Sequence, residues 1–238
     1  MTLEMSARKK QAGSGEGAEI TVLRRSVTEE AIAATLANLR RASAADLNEK
    51  GDYDTARQTW HKAAQVYVET GNKESMISLV EEIEGKAGMH EREGHPWEAG
   101  VYLLDAATML QQVGEGEKAL RMVRRAVDIM LADARIAEDY VLDGRNPVSF
   151  DMFVANVSNA AKLRVTAAGG AAEIAGDREW GFAIVAELLD KLNGSGERQG
   201  YVKDRRFEGS VTSLAEVAYA IKQGREDDTP PAGGGAYL

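Results

Sequence analysis

The sequence predicts an all-α protein, built as an antiparallel array of about eight helices between two flexible tails. Proline occurs only 4 times in 238 residues, and 44% of the residues are apolar although only 6% are aromatic. Good helix formers such as alanine are abundant, whereas a β-sandwich would need more turn residues and more β-branched residues. A third observation is that one pattern of small residues, about as long as a pair of helices, occurs twice in the chain.

The repeated pattern has a period of 43 residues. Gly51, Ala56, Ala63, Ala64, Gly71, Glu74 and Val80 align at this shift with Gly94, Ala99, Ala106, Ala107, Gly114, Glu117 and Val123. Glycine permits the left-handed turn between antiparallel helices, and alanine lets two helix axes approach closely. A repeated helix pair predicts a solenoid that binds other proteins. The alternative is an irregular bundle whose small residues only mark helix crossings.

The first copy of the pattern resembles a known repeat family. The stretch Gly51-Asp-Tyr-Asp-Thr-Ala56, followed by Trp60 and Ala63, is similar to the turn and second helix of a tetratricopeptide-like repeat. Residues Gly114 to Ala126 look similar. The period is longer than the roughly 34 residues of that family and is closer to the divergent repeats of the soluble NSF attachment proteins. The resemblance covers about residues 35 to 190 and implies a right-handed helical array that serves as a scaffold.

Capping residues predict where the first helix begins and ends. Ser26-Val-Thr-Glu29 is a capping-box pattern, in which each side chain satisfies a backbone N–H of the other residue. Gly51 ends the helix. Its apolar face is predicted from side chains at helical spacing, namely Ile32, Leu36, Leu39 and Leu47.

The next three helices follow from similar features. The second is expected from about Tyr53 to Thr70, and Asn72 is expected to cap the third. Pro96 suits the first turn of the fourth helix, which ends at Gly114.

The later helices are marked by breaks in the pattern. The fifth runs from about Glu117 to Leu142, where Asp143-Gly-Arg-Asn-Pro147 ends it. The sixth, about Phe150 to Ala175, contains Gly169-Gly170, so either the helix breaks there or a neighbour packs very close. The seventh spans about Asp177 to Leu192. A polar loop from Asn193 to about Gly209 is expected before a last helix through Leu214, Val217, Ala218 and Ile221.

Charge and composition exclude several classes of function. The net charge of −9, from 38 acidic and 29 basic residues, argues against a nucleic-acid partner. The chain has no cysteine, which excludes disulfides, Cys-ligated zinc and thiol catalysis and agrees with a reducing compartment. No run of 18 apolar residues occurs, so no membrane insertion is expected. These features predict a cytoplasmic protein.

No motif in the sequence predicts catalysis. His90-Glu91 and His95 have a spacing of five, whereas a zincin helix needs its two histidines four residues apart. We therefore expect a loop of solvated polar residues there and no metal site. The glycine-rich stretches lack the Gly-Lys-Ser/Thr ending of a phosphate loop. We expect no enzymatic activity and no cofactor.

The predicted organisation is a flexible arm at residues 1–25, a helical-repeat domain at 26–224 and a flexible tail at 225–238. The tail is acidic and then rich in proline and glycine. Its end, Ala236-Tyr237-Leu238, resembles the endings by which activators dock on proteasome core particles, with alanine in place of glutamine. A peptide-capturing groove would recognise such apolar anchors.

The sequence therefore predicts a non-enzymatic scaffold or adaptor whose partner is another protein or peptide. Two alternatives remain. One is a proteasome-docking cofactor that uses the Tyr-Leu tail. The other is a structural subunit of a homo-oligomeric assembly.

Overall fold

The computed structural model describes residues 29, 31–142, 149–199 and 205–224, and these ranges contain helices and turns but no strand. The all-α array predicted from the sequence is thus confirmed for the described residues. Its helices are α1 (31–49), α2 (Tyr53–Glu69), α3 (Lys73–Glu93), α4 (Pro96–Gln112), α5 (Gly116–Leu142), α6 (Phe150–Gly169), α7 (Arg178–Gln199) and α8 (Arg205–Gln223).

The chain divides into two compact units, Met1–Leu79 and Val80–Leu238. In the first unit, α1 packs against α2, and the Tyr67 hydroxyl donates to Asn38 Oδ1 over 3.1 Å. The Arg40 guanidinium donates to the Lys62 carbonyl at 3.0 Å. In the second unit, each helix from α4 to α8 packs against the next one along the chain.

Left-handed glycines end the helices, as the repeat predicts. At the ends of α1, α2, α3 and α4, the N–H of the residue after the glycine donates to the carbonyl five residues earlier. This is the Schellman arrangement. These bonds are Asp52 to Leu47 (3.0 Å), Asn72 to Tyr67 (2.8 Å), His95 to His90 (2.9 Å) and Glu115 to Leu110 (2.9 Å). The positive φ angles are 80° at Gly51, 64° at Gly71, 80° at Gly94 and 77° at Gly114.

The predicted starts of α3 and α4 are also confirmed. Asn72 Oδ1 accepts from the Ser75 N–H at 3.0 Å, so Asn72 caps α3. Pro96 occupies the first turn of α4. The capping box at Ser26 and the break at 143–147 lie outside the described residues.

The repeated small residues form the core of each helix pair. Ala56, Ala63 and Ala64 are buried on α2, and Ala99, Ala106 and Ala107 are buried on α4. One bulky side chain accompanies each set, since Trp60 is 1% exposed and Leu103 is 0% exposed. The 43-residue period therefore reflects repeated packing, with alanines at the helix contacts and one large side chain between them.

The predicted apolar face of α1 is wrong for three of its four residues, whereas the fourth, Leu47, is half-buried. Ile32, Leu36 and Leu39 are 62%, 42% and 64% exposed. The buried face carries Ala37 and Ala44 instead. Small side chains let helix axes approach closely, and alanines occupy the buried face of α1.

The Gly169-Gly170 pair marks a change of helix type and also allows a side chain of a neighbouring helix to pack closely. The α-helical pattern ends at Gly169, and Gly170–Ile174 forms a π-helical turn. A Cβ at Gly170 would lie 2.5 Å from Leu104 Cδ2 of α4, whereas a Cβ at Gly169 would contact nothing within 4 Å. Both sequence alternatives therefore hold, and Gly170 is the residue that allows the close contact.

The loop predicted from Asn193 to Gly209 is wrong at both ends. Helix α7 continues to Gln199, and α8 begins at Arg205. Extending an existing helix requires no new nucleation, and each glycine costs only about 1 kcal/mol relative to alanine. The glycines at 194 and 196 therefore do not end α7.

We expect Gly181→Ala to destabilise the second unit and Gly85→Ala to stabilise it slightly. A Cβ at Gly181 would lie 2.7 Å from the Ala168 carbonyl oxygen, which is backbone, and 3.1 Å from Ala172 Cβ. A Cβ at Gly85 contacts nothing within 4 Å and should gain up to about 1 kcal/mol of helix propensity. Urea unfolding of both variants measures this, and equal effects of the two substitutions would contradict the packing described.

Candidate protein-binding surface

A cleft in the second unit lies between α5 and the start of α7. It has a volume of about 350 Å³ and is lined by Leu120, Arg124, Ala175, Asp177 and Trp180. Leu120 and Arg124 are four residues apart on α5, so they lie on the same face of that helix. We refer to these five residues as the α5–α7 cleft.

The turn before α7 positions the aromatic wall of the cleft. Gly176 has φ 72°, which reverses the chain after the π-helical turn. The Asp177 N–H donates to the Ala171 carbonyl at 2.9 Å. Asp177 Oδ1 accepts from the Trp180 N–H, also at 2.9 Å, and so caps α7. Trp180 is thereby held in the first turn of the helix.

The residues of the cleft are suited to recognition. Arg124 is exposed and Trp180 is half-buried, so a guanidinium and an indole are both accessible. Arginine and tryptophan are among the residue types that contribute most to binding energy at protein interfaces. The volume is at the lower end of the roughly 300–1,000 Å³ of ligand pockets. It therefore suits one or two side chains of a bound peptide.

A buried cluster of charges connects α6 to both helices that line the cleft. Arg164 of α6 is 0% exposed, and Glu138 of α5 is 1% exposed. The Arg164 guanidinium donates through Nε and through Nη2 (3.0 Å) to the two oxygens of Glu138. Its Nη1 donates to the Ile184 carbonyl at 2.8 Å and to Glu187 Oε2 at 3.0 Å, both on α7. The guanidinium of Arg164 thus links α6 to both α5 and α7.

Lys191 completes this cluster near the surface. Its ammonium donates to Glu138 Oε2 at 2.7 Å and lies 3.1 Å from Glu187 Oε1. The two cations, Arg164 and Lys191, therefore balance the two carboxylates. Balance matters because an isolated buried charge is far more costly than a paired one.

The ion pairs change the protonation behaviour of the cluster. The hydrogen bond from Arg164 lowers the pKa of Glu187 to about 2, although partial burial opposes this shift. Burial also opposes the charged form of Lys191, but its hydrogen bonds to Glu138 and Glu187 raise the pKa of its ammonium. Glu187 and Lys191 are consequently both charged throughout the neutral pH range.

No member of this cluster was predicted from the sequence. A signal was present, because Arg164 shares one face of α6 with the buried residues Ala160 and Ala167. Glu138 likewise occupies a position on the buried face of α5, beside Ala134 and Val141. A charged residue in a buried register predicts a partner charge, but one sequence cannot say which charge that is.

His90 does not lie in a solvated loop, contrary to the sequence prediction, whereas His95 is exposed in the turn between α3 and α4, as predicted. His90 is 0% exposed on α3, and its ring lies edge-on to Tyr102 at a centroid distance of 5.1 Å. Burial lowers the pKa of the His90 imidazole. The reason is that α3 continues to Glu93, which places His90 on the helix face that packs against α4. Among the described residues, no group of three or more His, Asp or Glu side chains is arranged to hold a metal ion.

The predicted protein-binding residues Ala236, Tyr237 and Leu238 lie outside the described residues. The aromatic side chains Trp60, Tyr67 and Tyr102 are core residues, with 2% exposure or less. Within the described part of the chain, no helix is both long and apolar enough to span a bilayer.

No protein-family model matches this sequence, and no curated protein is significantly similar to it. The interpretation of the cleft therefore depends on its own side chains.

The pKa of Glu187 leads to a prediction about acid stability. Because the folded-state value is about 2 and the ordinary value is 4.5, Glu187 stabilises the fold above pH 4.5. That contribution is lost as the pH falls from 4.5 to 2. We therefore expect the stability difference between wild type and Glu187→Gln to shrink over this window. Urea unfolding at several pH values measures it.

Asp190→Asn, which removes an exposed carboxylate on the same helix, is the control. The stability difference of Glu187→Gln from wild type should change more over this window than that of the control. A Glu187→Gln difference that changes no more with pH than the control difference would contradict the role assigned to the Arg164–Glu187 pair.

Proposed function

We propose that this chain is a non-enzymatic protein-interaction scaffold that holds a segment of a partner protein in the α5–α7 cleft. The observation that supports the proposal is the combination of an accessible Arg124 and Trp180 on two helices that share a buried charge cluster. The helical array supplies the platform, and the cleft supplies the contacts.

Preorganisation favours binding at this position. A partner binds more tightly when the residues it contacts are already ordered, because less entropy is lost on association. The Asp177 cap holds the first turn of α7, and Arg164 holds α7 and α5 through Glu187 and Glu138. Both walls of the cleft are therefore ordered before a ligand arrives.

The lining of the cleft favours a partner segment in which one acidic group lies beside a bulky apolar side chain. Arg124 is exposed on α5 and is the one cation among the five lining residues. Leu120 and Trp180 provide apolar surface in the same cleft. Electrostatic complementarity of this kind increases association rate and specificity.

The same lining favours binding over catalysis. Asp177 is the one carboxylate among the five lining residues, and it accepts the Trp180 N–H as a helix cap. General acid–base catalysis needs titratable groups that converge on a reacting atom. The cleft offers instead a cation and an aromatic ring, which are recognition groups.

Affinity capture from the protein's own cells tests this proposal. Full-length wild type should retain a specific partner, and the Arg124→Ala/Trp180→Ala variant should retain at least about tenfold less of it, which corresponds to roughly 1.4 kcal/mol or more. The matched control is Arg135→Ala/Tyr219→Ala, which removes an exposed arginine and an exposed aromatic ring outside the cleft.

The control should retain the same partner as wild type, and all three proteins should unfold cooperatively before they are compared. Equal recovery of the partner by the cleft variant would contradict the proposed site. Absence of a specific partner with all three proteins would contradict the scaffold function itself.

A further inference from the structure

We propose that the α6–α7 connection carries one extra residue, held in the π-helical turn, and that this residue shapes the α5–α7 cleft without being needed for the fold. The inference rests on the proposed function, because it takes the cleft to be a protein-binding surface. It adds the element that positions two of the five lining residues, Ala175 and Asp177.

Among the described residues, five connections between helices follow one plan. A glycine with positive φ ends the first helix, and the second helix begins two residues after that glycine. The connections that follow α1, α2, α3 and α4 have this form. The α6–α7 connection has it too, with Gly176 at φ 72° and α7 beginning at Arg178. It is therefore directly comparable with the other four.

The α6–α7 connection is longer than the other four by one residue. In those four, the N–H of the residue after the glycine donates five residues back, whereas the Asp177 N–H donates six residues back, to the Ala171 carbonyl. The residue before the glycine differs in the same way. The Thr70 N–H before Gly71 donates four residues back, but the Ala175 N–H donates five residues back, at 3.1 Å. Both bonds at the end of α6 therefore enclose one extra residue.

A π-helical turn accommodates this residue without redirecting the chain. An α-helix advances by about 100° per residue, so an extra residue in a continuous α-helix would rotate every later residue by that angle. In a π-helical turn the extra residue enters a wider ring, closed by an i→i+5 bond. Gly176 then leaves α6 in the direction of an ordinary helix end. We therefore expect Arg164 to pair with Glu187 with or without the extra residue.

The extra residue lies beside the cleft. Ala175 and Asp177 both line the cleft, and both donate their backbone N–H groups to carbonyls of the π-helical turn. Helix α4 holds the turn from another side. A Cβ at Gly170 would lie 2.5 Å from a side-chain atom of α4, and the Gln111 amide donates to the Ile174 carbonyl. The position of this wall of the cleft thus depends on the π-helical turn.

The π-helical turn is more economically explained by recognition than by folding. The other four connections reverse the chain with an ordinary Schellman end, so the reversal itself does not require the extra residue. π-Helices are rare, and single π-helical turns occur frequently at functional sites. In this chain the turn borders the cleft that we propose as the binding surface.

Deletion of Glu173 from the full chain tests the inference. Glu173 is the exposed residue of the π-helical turn, so its removal takes no buried side chain from the core. The bond from the Asp177 N–H would then span five residues, as in the other connections. We expect the urea midpoint to be equal to that of wild type or higher. Recovery of the partner in affinity capture should fall by at least about fivefold.

Glu173→Ala is the matched control, because it removes the same side chain and keeps the length of the connection. It should recover the partner as wild type does. A second measurement does not need the partner, namely the indole N–H signals in nuclear magnetic resonance spectra, assigned by Trp→Phe substitution. Deletion of Glu173 should shift the Trp180 signal and leave the Trp60 and Trp97 signals in place. Glu173→Ala should leave all three in place.

Four results would overturn the inference. The first is a lowered urea midpoint both for this deletion and for deletion of Ala172, which shortens the same turn. The second is an unchanged Trp180 signal after deletion of Glu173. The third is equal partner recovery by the deletion variant and wild type. The fourth is equal loss of the partner by the deletion and by Glu173→Ala, which would assign the effect to the carboxylate instead of the chain length.

Failure of the proposed function is distinguishable from these results. A wild-type chain that captures no specific partner would contradict the scaffold function. The urea midpoint and the Trp180 signal would still decide whether the extra residue shapes the cleft and is unnecessary for the fold.

Discussion

The pairing of Arg164 with Glu138 is the interaction on which the second unit depends. A guanidinium with no exposure to solvent needs both a counter-charge and acceptors for its N–H groups. Glu138 supplies the charge from α5, and Glu187 and the Ile184 carbonyl complete the set from α7. A shift of α6 along either neighbour would leave this charge unpaired. The cluster therefore fixes the register of α5, α6 and α7 relative to one another.

The cleft is a consequence of that register. Arg124 precedes Glu138 on α5 by fourteen residues, or about 21 Å of helix. Trp180 precedes Glu187 on α7 by two turns. The charge cluster thus holds α5 and α7 together at Glu138 and Glu187. The residues that line the cleft lie nearer the start of each helix. Between the walls, the π-helical turn and Gly176 bring the chain from α6 into α7 without filling the space. The charge cluster therefore sets the spacing of the two helices that carry Arg124 and Trp180.

The parts of the fold that could be predicted from sequence are those with local causes. Gly51, Gly71, Gly94 and Gly114 were predictable as helix ends, because left-handed backbone favours glycine in any context. The burial of the repeated alanines follows from the same local logic. The buried face of α1 was not predictable, since Leu36 and Ala37 are neighbours in the sequence and only tertiary packing buries the alanine and leaves the leucine exposed. The cleft was missed for a related reason. Arg124 and Trp180 are 56 residues apart in the chain, and nothing local connects them.

A double-mutant cycle on Glu138 and Arg164 tests the central claim most directly. Each single substitution, Glu138→Gln or Arg164→Met, should cost roughly 3–5 kcal/mol in urea unfolding, because it leaves the buried cluster with one unbalanced charge. The double variant should cost at least about 2 kcal/mol less than the two singles together. Asp139→Asn, an exposed neighbour on α5, should change the free energy of unfolding by less than about 0.5 kcal/mol. Additivity of the two substitutions within about 0.5 kcal/mol would show that the pair does not hold these helices together.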